Sequence, residues 1–205
     1  MKQLVQELID AGYLKTPRII TAFFAVDRKD FVPEEEKVLA YENMALPTMF
    51  GQTISQPAVV AFMLELLQPQ EGDTVMDVGA GSCWQTALLA HIVGKRGKVF
   101  AVERLCPLLE WGKKNFAQYG FANTQFFCRD ATKRLPEHAP FDKIIAAAAG
   151  ERMIGNWQKQ LNLGGCIVMP IANSIWLYIK KSETDFEKHE YPGFAFVPLI
   201  EERTQ

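Results

Sequence analysis

Over the first 70 residues the apolar positions recur at helical spacing. Leu4, Val5, Leu8 and Ile9 share one face of a helix over 3–13. A second helix starts at Pro17, where a missing amide proton does no harm, and runs to the residue before Pro33. "PEEEKVLAYEN", residues 33–43, reads as a short helix or turn, and the first quarter carries no strand signal. "FGQTISQPAVVAFMLELL", residues 50–67, turns from polar into an apolar helix. Pro57 fits its first turn, and Ser55 is placed either to cap that turn or to present a hydroxyl at a cleft.

From Thr74 the period changes. Short apolar strands alternate with helices: "TVMDV", then "GAGS" and the helix "WQTALLAHIVG"; "GKVFAV", then the helix "CPLLEWGKKNFAQYG"; "TQFFCRD"; "FDKIIAAAA", then the helical "ERMIGNWQKQLNL"; and "GGCIVMP". Alternation of this kind predicts a parallel sheet with helices on both faces. "SIWLYIKK" and "GFAFVPLI" read as two strands with a polar turn region between them, an antiparallel hairpin finishing the sheet. The expected fold is α/β, a doubly wound Rossmann-like sheet, mostly parallel, with a helical N-terminal cap. One domain is expected over 1–205, with the cap and the 50–67 segment in 1–70 and the α/β core in 71–205.

The 205 residues, 48% of them hydrophobic, are enough for one domain with a real core. No segment approaches the roughly 20 apolar residues of a membrane span, and the N-terminus lacks a long apolar leader, so a cytoplasmic protein is expected with no membrane partner. A net charge of −2 argues against nucleic acid as a partner. The short basic clusters "GKKNF", "CRDATKR" and "YIKK" read as solvated faces. The cysteines Cys83, Cys106, Cys128 and Cys166 form no C-x-x-C pair and are expected to be reduced and mostly buried; the three histidines are dispersed, so no metal is expected. A monomer is expected.

Ligands of such sheets bind at the carboxyl ends of the strands. The first strand ends in "DVGAGS", where Gly79 and Gly81 let backbone approach a ligand. Trp84 stands where a dinucleotide fingerprint has its third glycine. Asp77, beside the loop, disfavours a phosphate and favours an ammonium or sulfonium. Glu103 ends the second strand, placed for ribose hydroxyls, and Asp130 ends the third, placed for an adenine amino group. Together the three acids describe a nucleoside with a cationic tail, S-adenosyl-L-methionine. Ser82, Gln85, Arg104 and Ala131 flank these positions and complete the expected cofactor set.

At these residues the sequence resembles the protein-L-isoaspartate O-methyltransferases. "GQTISQP" resembles the family's signature core, "VMDVGAGSCWQTALLA" its cofactor loop and helix, "GKVFAVER" its second strand, "APFDKII" its fourth, "LGGCIVMP" its fifth and "FVPL" its last. The resemblance covers most of the chain in family order. It implies methylation of the free carboxylate of isoaspartyl residues, the first step in repair of damaged proteins. Ser55 is then the active-site residue, with Thr53 and Ile54 beside the substrate. The chain departs from the family pattern at Cys83-Trp84, at Ala131, in the alanine run 146–149 and at Ala195. An isoaspartyl carboxylate, with a reference pKa of about 4, is already an anion at neutral pH, so transfer needs orientation rather than a base. Two other readings stay open: the same fold methylating another carboxylate, a small molecule or RNA, and a binding protein without activity. Methyl transfer to an isoaspartyl peptide separates them.

Overall fold

A computed structural model describes residues 1–133 and 135–200. Arg134 of the "CRDATKR" cluster and the last five residues of the expected domain lie outside the described residues. In chain order the elements are α1 (Lys2–Asp10), α2 (Pro17–Ala25), β1 (Leu46–Pro47), β2 (Thr53–Ile54), α3 (Pro57–Leu67), β3 (Thr74–Val78), α4 (Trp84–Val93), β4 (Lys98–Glu103), α5 (Cys106–Ala117), β5 (Thr124–Cys128), β6 (Phe141–Ala146), α6 (Gly155–Lys159), β7 (Leu161–Ile171), β8 (Ser174–Lys180) and β9 (Phe186–Pro192). The main sheet runs β5-β4-β3-β6-β7-β8-β9, parallel through β7 and antiparallel at β8 and β9. This is the doubly wound α/β arrangement that the alternation predicts. The strand order reverses at β3, where the chain steps outward to β4 on one side and β6 on the other, and open α/β sheets bind ligands at such a point.

Strands β3, β4 and β6 are largely buried on both faces, which explains the apolar runs Val75–Met76, Val99–Val102 and Ile144–Ala146 within them. On one face, α3, α4 and α5 share an apolar cluster with the N-terminal helices through Leu4, Leu8, Ile19, Phe23, Leu64, Leu88 and Val99. The other face is thinner: Phe100, Phe141, Trp157 and Met169 pack there beneath α6 and the loop leading to β6. Glu65 of α3 ties the cap down by accepting from the amides of Lys15 and Thr16, both at 2.8 Å, and from the Thr16 hydroxyl at 2.6 Å. Among the described residues no helix is long and apolar enough to cross a membrane.

Five expectations are corrected. The second helix stops at Ala25: Val26 is extended, and the Asp27 carboxylate accepts from the Lys29 amide to start a separate 3₁₀ turn, Arg28–Phe31. A strand pair absent from the sequence reading, β1 with β2, is too short to show a period. The helix expected over 151–163 is confined to α6, because Leu161 already pairs with Phe141 at the start of an eleven-residue β7. The hairpin partner of β8 is the polar stretch β9, not "GFAFVPLI". As an edge strand β9 keeps its charges in water, which discourages pairing with another chain. Finally, Cys106 and Cys128 are joined in a disulfide, Cα to Cα 5.2 Å, while Cys83 and Cys166 are free and buried. The parallel neighbours β4 and β5 bring those two sulfurs together across 22 residues.

Candidate active site

One cavity opens at the carboxyl ends of β3, β4 and β6. It is lined by Thr53, Ile54 and Ser55 from β2 and the turn into α3, by Gly79, Gly81, Ser82 and Gln85 from the loop after β3 and the start of α4, and by Glu103, Arg104, Asp130 and Ala131 from the ends of β4 and β5. All of these are expected at a site, and the fold gathers them from four separate segments. Gly79 and Gly81 have φ of +76° and +51°, conformations that glycine adopts without strain. The loop is pinned from below, since the Gly79 and Ala80 amides donate to the Val102 carbonyl at 2.8 and 3.1 Å.

Glu103 holds the rim. Its Oε2 accepts from the Gly81 amide at 3.1 Å and its Oε1 from the Leu105 amide at 2.9 Å, so one carboxylate fixes both the glycine loop and the start of α5. Asp130 Oδ1 accepts from the Thr132 amide and hydroxyl at 2.8 and 2.7 Å. Ala131 presents its carbonyl to Trp157 Nε1 at 2.7 Å, which anchors that loop to the second face of the sheet. The Cys106–Cys128 cross-link joins the two segments that carry Glu103 and Asp130.

Asp77 stands apart from the other expected residues. It is fully buried behind the glycine loop and does not line the cavity. Gln85 Nε2 donates to one carboxylate oxygen at 2.8 Å and the Thr86 hydroxyl to the other at 2.6 Å, so Asp77 reaches the cavity through Gln85. Burial pushes its carboxyl up to about 6. The bonds from Thr86 and Gln85 oppose that shift, and the Glu103 charge adds to it. A raised carboxyl binds its proton more tightly in the folded chain than in the unfolded one. The resulting penalty is absent below about pH 4 and complete above pH 6. Asp77→Asn therefore raises the unfolding free energy of the ligand-free protein at pH 7.5 by about 1–3 kcal/mol, and the gain shrinks as pH falls towards 4. Urea denaturation at the two pH values measures this; equal stability of the two proteins at pH 7.5 contradicts it.

Ser55 is not a cap. Gln56 occupies the N-cap position of α3 without a side-chain capping bond, its Nε2 donating to the Asn43 carbonyl at 2.9 Å, and the Ala58 amide donates instead to Asn43 Oδ1 at 3.0 Å. Among the described residues the Ser55 hydroxyl has no hydrogen-bond partner and remains half-buried on the cavity wall. Its carbonyl accepts from Arg28 Nη2 at 3.2 Å.

Gly112 escapes a reading of the sequence, and the structure gives Cys83 and the segment after Ala195 roles that the sequence leaves open. Gly112, in the middle of α5, sits beneath the loop: a Cβ there would lie 2.5 Å from the Gly81 carbonyl oxygen and 2.6 Å from Cys83 Sγ. An isolated glycine inside a helical pattern is the signal that could have found it. Cys83 itself adopts φ +66°, the left-handed region that favours glycine, and burial pushes its thiol up, so it is an inert filler rather than a nucleophile. The segment Val197–Ile200, expected as a strand, crosses the mouth of the cavity instead, held by an amide bond from Ala149 to the Val197 carbonyl at 2.8 Å and one from Leu199 to the Ala149 carbonyl at 2.7 Å. Of the positions where the chain departs from the family pattern, Trp84, Ala131, Ala147 and Ala148 line the cavity, and Ala195 is exposed outside its lining.

A protein-family model described as protein-L-isoaspartate(D-aspartate) O-methyltransferase matches residues 1–204. The Ignicoccus hospitalis protein-L-isoaspartate O-methyltransferase is 39% identical over 206 residues, covering 98% of this chain and 97% of its own. The Aeropyrum pernix enzyme of the same name is 40% identical over 205 residues, covering 98% and 79%. A solved Plasmodium falciparum structure of that enzyme type, in complex with S-adenosyl-L-homocysteine, superimposes with a TM-score of 0.87 over 97% of both chains; at 21% identity it speaks for the fold. A cavity built from the family's own motif segments, in a chain matched from end to end by the family's model, places this protein in the protein-L-isoaspartate(D-aspartate) O-methyltransferase family.

Proposed function

We propose that this chain transfers the methyl group of S-adenosyl-L-methionine to the free carboxylate of L-isoaspartyl residues in damaged proteins, with Ser55 orienting the carboxylate. The observation that carries this reading is the unengaged Ser55 hydroxyl on the wall of the same cavity as the glycine loop and Glu103. The residues present fit an adenosyl amino acid. Backbone at Gly79 and Gly81 is bare; acids stand at the ends of β4 and β5; Leu105, Leu108, Ala147 and Ala148 give apolar surface for a flat ring. Gly79, Gly81, Ser82, Gln85, Glu103, Arg104, Asp130 and Ala131 would hold it, with Asp77 acting through Gln85. When bound, S-adenosylmethionine supplies an electrophilic methyl group on a cationic sulfur.

What the chain contributes is orientation and surroundings. The carboxylate is ionised at neutral pH, so no proton has to be removed before attack. The cavity supports this: among the described residues its titratable lining side chains are Glu103, Arg104 and Asp130, with no histidine, lysine or cysteine. The Ser55 hydroxyl donates to one carboxylate oxygen and leaves the other for attack, assisted by the Thr53 amide, since the register of β1 with β2 commits the Ile54 amide to Leu46. Charge disappears as anion meets cation, so the alanine and leucine lining favours the step by holding few water molecules. The same reading keeps the enzyme a cytoplasmic monomer of one domain, with polypeptides as partners; the net charge of −2 supports leaving nucleic acid out.

The test is a pH profile. With an isoaspartyl peptide and saturating cofactor, methyl transfer stays level from pH 6 to 8. No transfer at any pH contradicts the function, and a rate that collapses as a group near pH 6–7 protonates contradicts the base-free mechanism.

A further inference from the structure

Arg28, in the 3₁₀ turn after α2, is completely buried. Its Nη1 donates to the carbonyls of Ala40 at 2.8 Å and Glu42 at 3.4 Å; its Nη2 donates to those of Met44 at 2.8 Å and Ser55 at 3.2 Å. The guanidinium stands 5.5 Å from the centre of the Trp84 ring, and Trp84 lines the cavity. Every acceptor is neutral, and Nε has no partner. Among the described residues no carboxylate pairs with this group. Burial brings its pKa down to about 10, so it is a full cation at neutral pH.

A buried cation surrounded only by carbonyl dipoles is expensive, and an anion brought beside it offsets that penalty. The anion that the reaction brings is the substrate carboxylate at Ser55. A serine carbonyl oxygen and its own hydroxyl are at most about 5 Å apart by standard bond lengths. Adding the 3.2 Å bond puts the guanidinium within about 8 Å of the hydroxyl, no further than the screening length of roughly 8 Å at physiological ionic strength.

We infer that Arg28 is a positioning and specificity-determining residue for the substrate carboxylate. Its fork fixes the backbone that carries the Ser55 hydroxyl, and its charge makes this corner of the cavity prefer an anion to a neutral amide of the same shape. The inference rests on the methyl-transfer reading, which supplies the carboxylate.

The test uses binding, so it does not depend on turnover. Calorimetry in the presence of S-adenosylhomocysteine gives Kd for an isoaspartyl peptide and for the same peptide with that free carboxylate converted to a carboxamide. The intact protein binds the acid more tightly. In Arg28→Met the amide-to-acid ratio of Kd falls at least tenfold, while affinity for S-adenosylhomocysteine changes less than threefold. Arg28→Lys keeps the charge and holds the ratio within threefold of the parent. A parental ratio in Arg28→Met, or equal loss in both variants, overturns the inference. If Arg28→Met does not fold, as read by loss of S-adenosylhomocysteine binding, Arg28→Lys decides: the parental ratio supports the role and its loss overturns it. Failure of the underlying reading looks different, because the unsubstituted protein would then methylate no isoaspartyl peptide.

Discussion

Gly112→Ala lowers affinity for S-adenosylhomocysteine by about a hundredfold while the chain stays folded. Alanine is the better helix former by about 1 kcal/mol, so α5 itself gains. The loop above it loses. The added methyl would lie 2.5 Å from the Gly81 carbonyl oxygen, 2.6 Å from Cys83 Sγ and 3.0 Å from the Ser82 carbonyl carbon, distances that real side chains do not tolerate. The loop has little freedom to retreat. Its first residues hang from the Val102 carbonyl, the Cys83 amide donates to the Ala80 carbonyl at 2.7 Å, and Glu103 grips the Gly81 amide. Overpacking of this kind costs roughly 1–3 kcal/mol, and here the strain falls on the loop that must meet the cofactor. Calorimetry reports the affinity and circular dichroism the fold. Parental affinity would show that α5 moves away instead, and would remove Gly112 from the site.

The second large effect separates the two roles that the sequence leaves open for Ser55. Because Asn43 caps α3, Ser55→Ala melts at the parental temperature within experimental scatter, whereas Asn43→Ala loses about 0.5–2 kcal/mol of stability. Transfer to an isoaspartyl peptide falls about 10- to 100-fold in Ser55→Ala, the factor for one lost hydrogen bond to an anion of roughly 1.5–3 kcal/mol. Ser55→Asp falls further, about a thousandfold, because two carboxylates about 4 Å apart repel by about 4 kcal/mol at the effective dielectric near a protein surface. Both variants still bind S-adenosylhomocysteine. Thermal melts and a transfer assay on the three proteins give the answer. A lowered melting temperature in Ser55→Ala with full transfer would return Ser55 to a cap.

The sheet was legible because β3, β4 and β6 are largely buried on both faces and punctuated by glycine loops. Their chemistry was legible because acids at three strand ends stand out from apolar runs. What escaped was set by distant partners. Nothing near Ser55 reveals that Asn43, twelve residues upstream, takes its capping role. The strand β9 reads as a turn because an exposed edge strand carries the residues of one, and the apolar 193–200 segment reads as a strand although it is apolar for the cavity mouth. The pairing of Cys106 with Cys128 depends on the β4–β5 register, which spacing alone does not encode. Asp77 reads as a direct contact because its position beside the loop is visible in the sequence and its depth is not.

Methyl transfer from labelled S-adenosylmethionine to an L-isoaspartyl peptide, beside a twin of identical sequence with normal aspartate, tests the central claim most directly. The normal side chain holds its carboxylate one methylene further along, away from the position that Ser55 and the glycine loop define. The structure and the family membership predict label on the isoaspartyl peptide alone, in a base-labile ester; equal labelling of the twins, or label on neither while S-adenosylhomocysteine binds normally, contradicts it.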